Sequence, residues 1–194
     1  DDLILGAGLA KPSNKGGKPY DVFRNRIMFP IRDARGRAIA FGGRAMDPND
    51  NAKYLNSPET ELFDKGRNLY NHGPARAASG RGSTLVVAEG YMDVIAAHQH
   101  GYDNVVASMG TALTEQQVGQ LRSLASEFVL ALDPDVAGQE ATINSLATSW
   151  KALEDQVALR TRGPVGVLYR RDVPTLKIAA LPSDRDPDDL IRHD

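Results

Sequence analysis

The stretch FVLALDPDVAGQEAT, residues 128 to 142, drives an apolar run straight into Asp133 and Asp135, with only Pro134 between them. A second run, LKIAALPSDRDPDDLI at 176 to 191, leads to Asp186 and Asp188 around Pro187. A third, TLVVAEGYMDVIAAHQHG, ends on Glu89 and carries Asp93 just beyond the turn at Gly90. Carboxylates gathered at strand ends repel one another unless cations neutralise them or some are protonated. Magnesium suits such a place, since it prefers oxygen ligands, keeps several waters and is usually held by one or two carboxylates with substrate phosphates. Two such ions about 4 Å apart activate a hydroxyl and stabilise a leaving oxygen in phosphoryl or nucleotidyl transfer. A plain structural account stands beside this one. Asp133 can cap a helix opened by Pro134, and Asp135 in the first turn favours the positive end of the helix dipole.

The surrounding rhythm decides whether these acids can meet. Strands are expected over 84–89, 104–108, 128–132 and 176–181, with helices over 91–100, 114–125 and 137–153. This alternation predicts an α/β fold with a parallel sheet and helices on both faces. Right-handed crossovers bring the carboxyl ends of parallel strands to one edge, where ligands of open α/β sheets bind. Glu89, Asp133 and the Asp186 pair are then expected at that edge. Residues 154 to 175 interrupt the pattern as an extra hairpin without an assigned role.

Before this module lies a smaller, mixed segment. Strands are expected from Arg26 to Asp33 and from Arg37 to Met46, joined by a turn, with a further short strand near Tyr54. SGRGS at 79–83 reads as the linker, giving domains at 1–82 and 83–194. The first holds 14 Lys/Arg against 9 Asp/Glu and the second 9 against 16, so the near-neutral total of −2 hides two halves of opposite sign. Such a chain suits a polyanion on its basic half and cations in its acidic half, although two solvated faces would give the same count. In the basic half, strand alternation puts Arg26 and Arg32 on one face with Met28 and Pro30 between. Arg44, Lys53 and Lys65 could bind phosphates, and Tyr54 could stack on a base.

Other chemistry is excluded by composition. Cysteine is absent and the four histidines are scattered, so disulfides and thiolate metal sites are ruled out, no zinc is expected, and any metal must be held by oxygen. No phosphate-binding GxxxxGK[ST] occurs, and DPDVAGQEATIN fails as a calcium loop because Ala137 and Asn144 fall where oxygen ligands are needed. No run of 18 apolar residues exists and the start DDLILGAG lacks the features of a signal peptide, so no membrane partner is expected and the location is expected to be cytoplasmic.

Taken in order, RNRIMFPIRDARGRAIAFGGRAM, KYLNSPETELFDKGRNLYN, VVAEGYMDVIAAHQHGYDNVVASMGTALTEQQV, ALDPDVAG and LPSDRDPDDLI resemble the RNA polymerase region of bacterial DNA primases of the DnaG type. The resemblance covers roughly residues 20 to 194. It implies a TOPRIM-type parallel-sheet catalytic domain with flanking helices, preceded by a smaller basic mixed α+β subdomain, present in part. It also implies synthesis of short RNA primers on a single-stranded DNA template from ribonucleoside triphosphates, with Mg²⁺ or Mn²⁺ as cofactor and an RNA–DNA hybrid as product. Carried over by motif, Glu89 serves in proton transfer or metal positioning, Asp133, Asp135, Asp186 and Asp188 bind metal, and Asp93 supports them at the metal site. Arg44, Lys53, Tyr54, Asn56 and Lys65 match the nucleotide and template surface, which Arg26 and Arg32 extend. The chain departs from the family at Pro134, where many members have a small residue, so the way Asp133 and Asp135 share a metal is open. The zinc-binding module and the domain that engages the replicative helicase are expected to lie outside the chain.

Two alternatives remain. A TOPRIM nuclease would use the same acids to break phosphodiester bonds, and a catalytically idle nucleic-acid-binding module would use them only as helix caps. The NSPET segment and the basic hairpin favour the primase.

Overall fold

The computed structural model describes residues 2–14, 16–79, 84–109, 113–131, 175–179, 181–182 and 187–193. Contacts group the chain into two compact units, Asp1–Asn68 and Leu69–Asp194.

The first unit begins with helix α1 (Asp2–Gly6) and a short antiparallel pair, β1 (Ala10–Lys11) with β2 (Tyr20–Asp21). Its main feature is a three-stranded antiparallel sheet in the order β3 (Arg26–Arg32), β4 (Ala38–Ala45), β5 (Tyr54–Asn56). The expected hairpin is thus present, and its turn has a local cause. Asp33 Oδ1 accepts from the backbone N–H of Arg35 and of Arg37, both at 2.9 Å, while Gly36 supplies the left-handed backbone at φ 80°. The regular alternation expected along β3 is interrupted at its end. Ile31 pairs with Ala40 but Arg32 with Ala38, which leaves Ile39 as the extra residue of a bulge.

The second unit contains a four-stranded sheet built from β6 (Thr84–Ala88), β7 (Val105–Ala107), β8 (Glu127–Ala131) and β9 (Thr175–Ile178). Its order is β7-β6-β8-β9 and every pairing is parallel. The continuous apolar runs of β6 and β7 suit strands covered on both faces. Leu85 and Val87 join Phe128, Leu130 and Val106 in a core with Val118, Leu121 and Leu124 of helix α4 (Glu115–Leu124). Ala88, Val105 and Ala107 pack with Val94 and Ala97 of helix α3 (Tyr91–Gln99), which also touches helix α5 (Pro187–His193). Helix α4 starts where Thr114 and Gln117 cap each other, each side chain accepting from the other's backbone N–H at 3.1 Å.

Leu69 and Ala75 lie in the α4-side core at 1% and 0% exposure, so helix α2 (His72–Ala78) groups with the parallel sheet although the segment expected as the linker, 79–83, comes after it. Tyr70 pairs with Ala107 along the outer side of β7. The helix expected over 137–153 and most of the hairpin over 154–175 lie outside the described residues, as do Asp133, Asp135 and Asp186.

At the amino-terminal side of the sheet a polar strap fixes the register. Glu127 Oε1 accepts from Thr84 Oγ1 at 2.8 Å, across a paired position, and Glu127 Oε2 meets Lys177 Nζ at 2.6 Å. The Lys177 ammonium, and after it the Thr84 hydroxyl, holds the Glu127 carboxyl below its ordinary value of 4.5. Because the folded value is the lower one, the contribution of the ionised form is complete above 4.5 and fades as pH falls through the folded value. Glu127→Gln is therefore expected to flatten the acid side of the stability profile, measured by urea denaturation between about pH 3 and pH 6.

Candidate active site

In the sheet order β7-β6-β8-β9 the chain runs outward from β6 to β7 and then returns to β8 on the opposite side of β6. The direction of winding thus reverses between β6 and β8, and ligands of open α/β sheets bind beyond the carboxyl ends of the strands at such a reversal. Ala88 is level with Ala107 on one side and Ala131 on the other. Glu89 comes directly after Ala88 and is half-buried at this edge. Chain connectivity carries the end of β8 from Ala131, through residue 132, to the Asp133–Asp135 pair.

Gly90 caps α3 with an extended backbone, and Asp93 reaches back so that its Oδ2 accepts from the Gly90 N–H at 3.0 Å. A Cβ on residue 90 would sit 3.3 Å from that oxygen, closer than side chains ordinarily pack, so glycine lets the carboxylate approach. Asp93 is buried, at 9% exposure. Beside Asp93, a cavity of about 260 Å³ opens between α3 and α5, lined by Ala88, Ala97, Ala131 and Leu190 among others.

Among the described residues no group of three or more His, Cys, Asp or Glu side chains is placed to hold a metal. The described donor nearest the winding reversal is the Glu89 carboxylate, and a half-exposed oxygen donor suits a hard cation that keeps part of its water shell. Asp188 belongs to α5, so the second acidic pair leads into that helix.

The basic residues of the first unit fall into two groups. Arg44 and Tyr54 are directly opposite on β4 and β5, with the Arg44 guanidinium 5.8 Å and Lys53 Nζ 5.6 Å from the centre of the Tyr54 ring. Tyr54 remains 43% exposed, so the ring is accessible while two cations flank it. Asn56 is half-buried and opposite Gly42. Lys65 sits in a single 3₁₀ turn, Lys65–Arg67, capped by Asp64, and burial pulls its ammonium below the usual lysine range.

Arg26 has a different setting. Its side chain is 6% exposed, Nη1 donates to the Ala52 carbonyl at 2.6 Å and Nη2 to Asp50 at 2.8 Å. This guanidinium is committed to the loop before β5, whereas Arg32 is exposed and donates to the Gly36 carbonyl at 2.8 Å. Gly43 permits the packing, since a Cβ there would lie 3.0 Å from the Phe23 ring and 3.1 Å from Arg26 Cδ. Sequence alternation could not separate the two arginines. The acidic partner of Arg26 is 24 residues away in a loop.

Residues 1–76 match the family described as DNA primase catalytic core, N-terminal domain, and residues 83–161 match the Toprim domain. The chain is 44% identical to a DNA primase of Deinococcus radiodurans over 97% of its own length and 29% of the relative's. It is 41% identical to a DNA primase of Escherichia coli over 98% of its length and 30% of the relative's. A crystal structure of a DNA primase domain from Pseudomonas aeruginosa is similar with a TM-score of 0.79 at 40% identity, covering 98% of this chain and 54% of that one. A DnaG primase catalytic domain bound to single-stranded DNA gives a TM-score of 0.77 at 39% identity, again covering 98% and 54%. The chain thus spans less than a third of the length of these curated relatives. With its Toprim-type parallel sheet, its basic antiparallel sheet and both family matches in the expected order, the chain belongs to the DnaG-type bacterial DNA primases.

Proposed function

We propose that the chain is the nucleotidyl-transfer part of a DNA primase, joining ribonucleoside triphosphates into short RNA primers on single-stranded DNA. The observation that carries this reading is the placement of Glu89 at the carboxyl end of β6, where the winding of the parallel sheet reverses toward β8. We assign residues 1–82 to template and nucleotide handling and 83–194 to catalysis, with 69–79 serving the catalytic sheet. The site of action is the cytoplasm, and the replicative helicase is engaged through regions outside the chain.

In the reaction the 3′-hydroxyl of the growing primer attacks the α-phosphorus, a new phosphodiester bond forms and the bond to pyrophosphate breaks. Glu89 would accept the hydroxyl proton or hold a cation, and Asp133, Asp135, Asp186 and Asp188 would supply further oxygen donors to it. Dependence on a divalent metal goes with the family, and Mg²⁺, replaceable by Mn²⁺, is the ion that this donor chemistry favours. Such an ion, when bound, neutralises the phosphates and favours ionisation of the attacking hydroxyl. Asp93 holds the Glu89–Gly90 turn against α3 through its cap. Tyr54, flanked by Arg44 and Lys53, offers a stacking surface with phosphate-binding cations, and Asn56, Lys65 and Arg32 supply further polar groups for template or nucleotide. Arg26 serves the same surface indirectly by fixing the loop that leads into β5.

In a full-length primase containing this chain, Glu89→Gln is expected to reduce primer synthesis by about 10²-fold or more while leaving single-stranded DNA affinity unchanged. Full activity in that variant would leave the idle binding module as the better account. Asp93→Asn keeps an oxygen able to accept from Gly90 N–H. Its thermal stability should therefore stay near wild type while Asp93→Ala loses about 1 kcal/mol. A marked fall in Mn²⁺ affinity in Asp93→Asn, measured by calorimetry, would instead make Asp93 a metal ligand. On the basic unit, Tyr54→Ala is expected to weaken binding of a labelled single-stranded oligonucleotide by about tenfold, read by fluorescence anisotropy.

A further inference from the structure

The segment Leu69–Asn71 has a role that neither the acidic edge nor the basic surface explains. Tyr70 N donates to the Ala107 carbonyl at 2.9 Å and Ala107 N to the Tyr70 carbonyl at 3.3 Å, so the segment adds to the free side of β7. Leu69 is buried in the α4-side core, whereas the Tyr70 side chain packs against the cluster of Ala88, Val94, Ala97, Val105 and Ala107 on the other face. There the Tyr70 ring lies 5.8 Å from the Tyr91 ring at an interplanar angle of 50°, a tilted aromatic contact. Tyr91 is the first residue of α3, two after Glu89, and is only 4% exposed.

Asn71 fixes the same segment to the far end of that helix. Its backbone is left-handed at φ 64°, a conformation asparagine tolerates better than most residues. It occupies the N-cap position of α2, yet its side chain makes no cap there. Instead Asn71 Nδ2 donates to the Val105 carbonyl at 2.8 Å and lies 2.6 Å from His98 Nε2 in the last turn of α3. Tyr91 and His98 are seven residues apart, two helical turns, and therefore share one face of α3. Two adjacent residues thus brace both ends of the helix that begins immediately after Glu89–Gly90.

The geometry points to Tyr70 as a positioning residue for Glu89, acting through the Tyr91 ring, with Asn71 holding the brace in place. This inference depends on the nucleotidyl-transfer reading, because it concerns the placement of Glu89 in that reaction. A misplacement of about 1 Å can cost a reaction about 10²-fold without altering substrate binding. Tyr70→Leu keeps the bridge to Ala107 and most of the apolar volume but removes the ring contact, while Tyr70→Phe keeps the ring.

The test measures primer synthesis in a full-length primase containing this chain, normalised to the folded fraction from circular dichroism. Wild type is compared with Tyr70→Leu, Tyr70→Phe, Tyr91→Leu, the Tyr70→Leu/Tyr91→Leu double variant and Glu89→Gln. Tyr70→Leu is expected to lower kcat by about tenfold or more with KM for the nucleotide within about twofold of wild type. Tyr70→Phe should restore kcat, and the double variant should lose little more than either single one. If Tyr70→Leu does not fold, Tyr70→Met takes its place with the same expectation. Wild-type kcat in Tyr70→Leu, additive losses in the double variant, or no rescue by Tyr70→Phe would overturn the inference, provided Glu89→Gln is inactive. Full activity in Glu89→Gln would overturn the nucleotidyl-transfer reading itself, whatever the Tyr70 variants do.

Discussion

The parallel ladder around β6 is the constraint on which the rest of the second unit depends. Its register makes Ala88, Ala107 and Ala131 level, so three strands finish in one line and the chain leaves each of them on the same side of the sheet. All three of these residues are alanine. Small side chains at the last paired level leave space beneath the edge, and the cavity beside Asp93 is lined by two of them. Parallel strands cannot be joined by tight turns, and α3 and α4 make the crossovers from β6 to β7 and from β7 to β8. The amino-terminal end of α3, with its partial positive charge, therefore sits directly after Glu89. One pairing pattern thus sets strand ends, helix starts and the location of the first acid together.

Much of this organisation was legible because its signals are local. The runs TLVVA, VVA and EFVLA are bounded by turn residues, and the observed strands Thr84–Ala88, Val105–Ala107 and Glu127–Ala131 lie within a residue or so of the expected spans. The start of α4 was legible for the same reason, since Thr114 and Gln117 stand three apart. The parallel arrangement came from alternation with helices and did not need any long-range contact to be known.

The features that escaped the sequence depend on partners far along the chain. Nothing near Arg26 announces that its guanidinium is taken up by Asp50 and Ala52, and the bulge at Ile39 has no turn residue to mark it. The assignment of Leu69–Ala78 to the second unit was hidden in a similar way. SGRGS is the stronger linker signal by composition, but Leu69 and Ala75 fill holes in a core whose other buried members run from Leu85 to Leu130. Asn71 shows the limit most clearly: it stands at the N-cap position of α2, yet its amide serves β7 and α3 instead. The acids at Asp133, Asp135 and Asp186 were legible as a pattern only, and they lie outside the described residues.

The short pairing of Tyr70 with Ala107 also bears on how the sheet meets other molecules. An edge strand with unpaired N–H and C=O groups is a template for a strand of another chain. β7 is three residues long, and the segment alongside it pairs with both backbone groups of Ala107, its last residue, from within the same chain. On the other side of the sheet, β9 is the outermost strand among the described residues, and its Lys177 is paired with Glu127 of the neighbouring β8. The β7 side of the sheet is thus guarded by the chain's own backbone. Loss of that guard would leave the Ala107 N–H and C=O as a template for a strand of another chain.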